Sequence, residues 1–160
     1  MTPPTTPSPA PQRTELGRLL AAQLDTLPSA SRLTPEQLEV VYALAYSHVA
    51  QHQYEQASPI FSFLCLYGPT RKHYLIGLAL CLQMQERYEE AMDTYALILM
   101  LYPDHYDAAL RTAECQLSCG QLAQAGETLA LLQAIGREHP GKYPWLRQVT
   151  ALQKLLKGST

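Results

Sequence analysis

At 160 residues the chain has room for one domain with a continuous core. A formal charge of −2 and a pI near 6.2 supply no clustered basic surface of the kind nucleic acid demands. No apolar run approaches the roughly 20 residues that span a bilayer, so neither nucleic acid nor a membrane is an expected partner.

Residues 1–14 carry Pro3, Pro4, Pro7, Pro9 and Pro11 among Thr, Ser, Gln and Ala. Such a stretch cannot bury enough surface to offset its ordering entropy, which predicts a disordered tail. It also lacks the basic start and apolar stretch of a signal peptide, so the protein is expected to stay where it is made. From Glu15 the pattern turns helical, with Leu16, Leu19, Leu20, Leu24 and Leu27 at three- and four-residue spacings and Pro28 as the stop. An amphipathic helix this short is marginal alone, so the unit over 15–33 must pack on something.

The next hundred residues repeat. Ala57, Ala91 and Ala125 stand 34 apart; Phe61, Tyr95 and Leu129 follow each by four, and Leu64, Ile98 and Leu132 by seven. Tyr54, Tyr88 and Leu122 precede each alanine by three, and Ala45, Ala79 and Ala113 by twelve. A 34-residue period with small residues at two fixed points is the tetratricopeptide signature. One such repeat is a helical hairpin, A then B, that cannot bury its apolar face alone. The fold expected is therefore all-α, three stacked hairpins over residues 34–138 with a leading and a capping helix. The repeats fall at about 35–70, 71–104 and 105–138.

Thr34, Pro35 and Gln37 open the first hairpin as N-cap, first turn and capping-box partner. Its helices are expected at about Pro35–Gln51 and Tyr54–Tyr67. Gly68-Pro69 and Pro103 close the first two repeats; Arg137 stands where the third would have its proline. Gly120 occupies a hairpin turn where the other repeats place His52 and Glu86. Over residues 139–160 a last amphipathic helix, about Pro144 to Lys157, offers Trp145, Leu146, Val149, Leu152, Leu155 and Leu156 as a cap.

With the three alanines as repeat position 20, positions 4, 7, 8, 20, 24 and 27 are packing positions, Leu44 at position 7 among them. Positions 2, 5, 9 and 12 of helix A line the concave wall. They hold Glu39, Tyr42, Tyr46 and Val49, then His73, Ile76, Leu80 and Gln83, then Asp107, Leu110, Glu114 and Leu117. Positions 5 and 9 lie one turn apart and form an apolar stripe with an acidic rim, the pattern of a partner-binding surface. Three buried anchors at roughly 1.5–3 kcal/mol each supply about 5–9 kcal/mol, much of it consumed by association and ordering. A releasable extended segment fits that magnitude better than a permanent complex.

Several runs resemble the class II chaperones of bacterial type III secretion, of the LcrH/SycD type. They are Leu38-Glu-Val-Val-Tyr-Ala-Leu-Ala-Tyr46, Phe61-Ser-Phe-Leu-Cys65, Tyr74-Leu-Ile-Gly-Leu-Ala79, Ala113-Glu-Cys115 and Gly120-Gln-Leu-Ala-Gln-Ala125. The resemblance covers about residues 34–135. It implies a bacterial cytoplasmic chaperone that holds a proline-spaced segment of hydrophobic translocator proteins in its groove and keeps them soluble for export. Tyr42 and Tyr46 match groove aromatics of the family, and Ile76, Leu80, Leu110 and Leu117 match by repeat position. The leading helix of relatives mediates homodimers, which would assign Leu16, Leu20 and Leu24 to a dimer contact. Some relatives also act with a transcriptional activator. Two other binding readings stay open: a chaperone of a secretion needle subunit, which wraps a helix, and a general interaction scaffold.

Chemistry is weakly signalled. His48 and His52 are four apart, as are Cys115 and Cys119, but neither pair has nearby ligands to complete a metal set. No Walker loop or GxGxxG is present, so no cofactor is expected, and no nucleophile has an orienting carboxylate. Cys65, Cys81, Cys115 and Cys119 fall within helical periodicity and read as buried free thiols. Of the carboxylate clamp used by some tetratricopeptide adaptors, only Arg111 is retained. The chain reads as a binding protein, not an enzyme.

Overall fold

The structure, a computed structural model, describes residues 15–28 and 32–158; the proline-rich tail lies outside them. Among the described residues eight helices and no strand are present. They are α1 Glu15–Asp25, α2 Pro35–Ala50, α3 Tyr54–Tyr67, α4 Lys72–Met84, α5 Tyr88–Leu101, α6 Tyr106–Ser118, α7 Leu122–Glu138 and α8 Leu146–Gly158. From α2 to α8 each helix packs on the next in chain order.

Local chemistry sets the helix ends. Thr34 closes its capping box: its hydroxyl accepts the Gln37 amide at 3.2 Å, and the Gln37 side chain accepts the Thr34 amide at 2.9 Å. The three hairpin turns share a left-handed residue, at φ +58° in His52, +61° in Glu86 and +76° in Gly120. Glycine enters that region without a Cβ penalty; His52 and Glu86 hold it under strain, so the turn geometry outlasts the turn residue.

The repeat alanines Ala57, Ala91 and Ala125 are fully buried, as are Ala45, Ala79 and Ala113. They allow close approach of helices within three successive apolar clusters. The first joins Leu38, Phe61, Leu64 and Tyr74; the second Leu75, Tyr95, Ile98 and Leu101; the third Leu110, Leu129, Leu132, Trp145 and Val149. Burying each large side chain contributes about 1.5–3 kcal/mol. At Gly77 an added Cβ would lie 2.1 Å from the Phe61 ring, so α4 meets α3 through a missing side chain.

Three expectations are corrected. Leu44 is 54% exposed, because α2 begins the stack and no earlier hairpin covers its position 7. Cys119 is exposed: it follows the last residue of α6 as its C-cap, where the chain turns outward. Leu155 faces out of α8, while Trp145, Val149, Leu146, Leu152 and Leu156 pack inward. The leading helix packs on α5 with Ala21 and Leu20 joining the second cluster, Gly17 buried and Leu24 half-buried, and it leaves Leu16, Leu19 and Leu27 exposed. Its end is tied down where Thr70 donates to Asp25 at 2.8 Å and Tyr102 donates to the Thr70 carbonyl.

Candidate peptide groove

The wall of the groove is made by α2, α4 and α6, and α8 takes the next place beside them. Side chains one repeat apart bond directly across it. Glu39 Oε1 lies 2.8 Å from His73 Nε2 and accepts the Tyr74 hydroxyl at 2.8 Å, tying α2 to α4. The hydrogen bond from His73, aided by that from Tyr74, holds the Glu39 carboxyl below its ordinary value. Burial and the nearby Glu39 charge push the Tyr74 phenol up to about 12, so the bond survives the physiological range.

At this end the wall is aromatic. The Tyr42 ring lies 4.8 Å edge-on from His73, 5.8 Å from Tyr74, 6.0 Å from Phe61 and 6.2 Å from Tyr46. Tyr42 is therefore braced on all these neighbours and half-buried, whereas Tyr46 is 60% exposed and presents its ring to solvent. Val49 packs with the first cluster beneath them.

Beyond the tyrosines a cavity of about 290 Å³ opens between α4, α6 and α8. It is lined by Ile76, Leu80, Tyr95, Ala108 and Leu110, with His105, Asp107, Arg111 and Gln148 among its polar groups. Leu110, expected as an exposed ridge, is only 3% exposed and forms part of the floor. The reason is α8, which brings Trp145 and Val149 onto the same cluster. Burial, reinforced by the Lys72 charge and opposed by Asp107 and Asp104, lowers the His105 pKa.

Glu114 stands at the cavity's far side. Its carboxylate accepts Gln83 Nε2 at 3.0 Å, Arg111 at 3.1 Å and Gln148 Nε2 at 2.6 Å, and Tyr95 in turn donates to Gln83 at 2.7 Å. Thus Tyr42, Tyr46, Ile76, Leu80, Gln83, Leu110 and Glu114 gather on one surface, with Val49 behind it. Leu117, by contrast, is half-buried near the end of α6 and is not among the cavity residues. Outside the helix-A positions, Tyr95 reaches in from α5 and Gln148 comes from α8, while His105, Ala108 and Arg111 add to the lining from α6 and its N-cap. A signal for Gln148 was present, since it follows Glu114 by 34.

The remaining candidates do other things. His48 Nδ1 pairs with Gln53 at 2.7 Å and His52 Nδ1 with the Tyr54 hydroxyl at 3.0 Å, so the two rings are held by separate partners. Among the described residues no helix is long and apolar enough to cross a membrane.

Residues 82–141, from the end of α4 to the loop before α8, match the family model described as tetratricopeptide repeat. The chaperone protein SicA of Salmonella typhimurium is 29% identical over 107 residues, which are 67% of this chain and 65% of SicA. The chain thus spans just under two thirds of that relative's length. The type III secretion translocator chaperone SycD of Yersinia enterocolitica superposes with a TM-score of 0.72 at 25% identity, covering 81% of this chain and 98% of SycD. In sequence and fold the chain is thus similar to translocator chaperones of the LcrH/SycD type. A further solved member of this group, PcrH in complex with the chaperone binding region of PopB, is 25% identical with a TM-score of 0.67. It covers 75% of this chain and 97% of PcrH. The wall of this chain runs from aromatic on α2 through aliphatic on α4 to polar on α6 and α8.

Proposed function

We propose that the protein is a bacterial cytoplasmic chaperone of type III secretion, which binds hydrophobic translocator proteins and keeps them soluble and competent for export. The observation that carries this reading is the superposition on SycD over nearly the whole of that translocator chaperone. The groove supports it: a solvent-facing Tyr46 and a cavity walled by Ile76 and Leu80 offer apolar anchor sites on one surface. In this reading the bound segment lies along Tyr42, Tyr46, Val49, Ile76, Leu80, Gln83, Leu110, Glu114 and Leu117. The protein acts by binding, without catalysis. A homodimer formed through the leading helix would use the exposed Leu16 and the half-buried Leu24, with Leu20 packed in part against the chain's own second cluster.

The test is co-expression with hydrophobic translocator proteins of type III secretion, comparing wild type with the triple variant Tyr42→Ala/Tyr46→Ala/Leu80→Glu. Soluble co-purification of a translocator by the wild type but not by the folded variant is the expected result. Co-purification that survives the substitutions would move binding off the concave face. Capture of a needle subunit in place of a translocator would overturn the reading.

A further inference from the structure

The 34-residue register runs past the third hairpin. Position 9 holds Tyr46, Leu80 and Glu114, and the next step is Gln148 on α8. At position 10 Cys81, Cys115 and Val149 are all fully buried, while Ser47, in the first repeat where no earlier hairpin covers it, is exposed. Helix α8 therefore fills the slot of a fourth helix A, and no helix B stands behind it among the described residues. On the side such a helix would cover, α8 borders an open recess of about 490 Å³ lined by Tyr143, Leu146, Arg147 and Thr150. An inward-facing helix supported from one side needs something else to fix its angle to the groove.

Glu114 supplies that support. Its side chain is only 17% exposed, and both oxygens are committed: Oε1 to Gln148 on α8, Oε2 to Gln83 on α4 and Arg111 on its own helix. A carboxylate is the one side chain of this length that accepts from several donors while carrying no donor of its own. Arg111 neutralises its charge, and charge-assisted bonds are the stronger kind. The consequence lies in the cavity, because Arg111 and Gln148 line it. Glu114 uses one N–H of each; the remaining guanidinium donors and the Gln148 carbonyl are left beside the apolar pocket. They match the alternating N–H and C=O groups of an extended chain.

We propose that Glu114 is a positioning residue of the groove: it holds α8 as a fourth inward wall and orients Arg111 and Gln148 to hydrogen-bond the main chain of an extended segment anchored in the Ile76/Leu80/Leu110 cavity. This rests on the groove being the binding surface. It divides the groove in two, an aromatic half that selects side chains and a polar half that grips backbone irrespective of sequence.

The experiment uses the full chain in three forms: wild type, Glu114→Met, and the exchange Glu114→Gln/Gln148→Glu, which returns a carboxylate–amide bond with the partners reversed. Backbone hydrogen exchange over 146–158 is measured without ligand. Affinity is measured for a synthetic peptide copying the translocator segment that the wild type shields from proteolysis, and for its two halves. Glu114→Met should speed exchange across α8 while leaving α2–α5 unchanged. It should weaken the full peptide and one half about tenfold, the equivalent of 1.4 kcal/mol, and spare the other half. The exchange variant should restore both readouts. Equal weakening of both halves, affinity within twofold of wild type, or no restoration by the exchange variant would overturn the proposal. Should the wild type shield no translocator segment, the functional reading fails, and the exchange data on α8 still decide whether Glu114 holds that helix.

Discussion

Glu86 and Gly120, one repeat apart, take the same left-handed backbone, with φ of +61° and +76°. Gly120 has nothing within 4 Å of the Cβ it lacks, so its role there is conformational and not steric. A non-glycine residue in this region carries a cost of roughly 1–2 kcal/mol, partly offset because glycine loses more entropy on folding. Glu86→Gly should therefore stabilise the protein by about 0.5–1 kcal/mol. Gly120→Ala should destabilise it by about 1 kcal/mol. Urea denaturation of both variants against wild type checks the pair, and opposite signs are the expected outcome.

A second prediction follows from Gly77. A Cβ there would sit 2.1 Å from Phe61 Cε1 and 2.4 Å from Cζ, inside a packed aromatic ring with little room to yield. Gly77→Ala should cost about 1–3 kcal/mol by overpacking, despite alanine's better helix propensity. Phe61→Leu alone should also destabilise, by leaving space beside Tyr42. In the double variant the two losses should fall well short of additive, because each relieves the other. A double-mutant cycle by thermal or urea unfolding reads the coupling directly.

What could be read in the sequence was what is local or periodic. The capping box at Thr34 and Gln37 involves residues three apart, and α3 runs from Tyr54 to Tyr67 as the spacing predicts, bounded by a turn and by Gly68. Position numbers placed Tyr42, Tyr46, Ile76 and Leu80 on one wall because the 34-residue period converts sequence into geometry. The misses came where the stack begins and ends. A repeat rule assumes neighbours on both sides, so Leu44 was expected to be covered and Leu110 to be open. Among the described residues no hairpin packs ahead of α2, since α1 docks on α5, and α8 closes over α6. The leading helix shows the other limit: its leucine spacing reports an apolar face, but nothing local says that α5 is the element it meets.

The cysteines separate by burial. Burial pushes the Cys65 thiol up to about 12 and those of Cys81 and Cys115 to about 11, while Cys119 is the exposed one of the four. Thiolate is the reacting species, so the first three are protected twice, by access and by protonation. Titration with a disulfide reagent at pH 8 should show one fast thiol per chain, abolished by Cys119→Ser. The other three should react only at the rate of unfolding, roughly 10²-fold slower or more. Any fast thiol in the Cys119→Ser variant would contradict the packing of α3, α4 or α6.

His105 makes the groove's stability depend on pH in a definite direction. Its folded pKa is lowered, first by burial and then by the Lys72 charge, with Asp107 and Asp104 opposing. The unfolded chain takes up a proton at the ordinary value near 6.5, while the folded protein resists until the pH is lower. Between those two values the unfolded state binds more protons, so stability must fall as the pH drops. The contribution is present in full above about pH 6.5 and is lost as pH falls from there to the folded pKa, below which the curve flattens. His105→Gln should remove that segment of the profile and leave the acid limb set by Glu39, which begins lower, because the depressed carboxyl contributes stability above its unfolded pKa near 4.3. Urea midpoints between pH 4.5 and 8 for wild type and variant decide it. Because His105 lines the cavity beside Asp107 and Arg111, a segment that covers it and excludes water should lower its pKa further. Acidification through the folded pKa of His105, which lies below 6.5, is then expected to weaken client binding in the wild type and much less in His105→Gln, which the same titration repeated with bound peptide would measure.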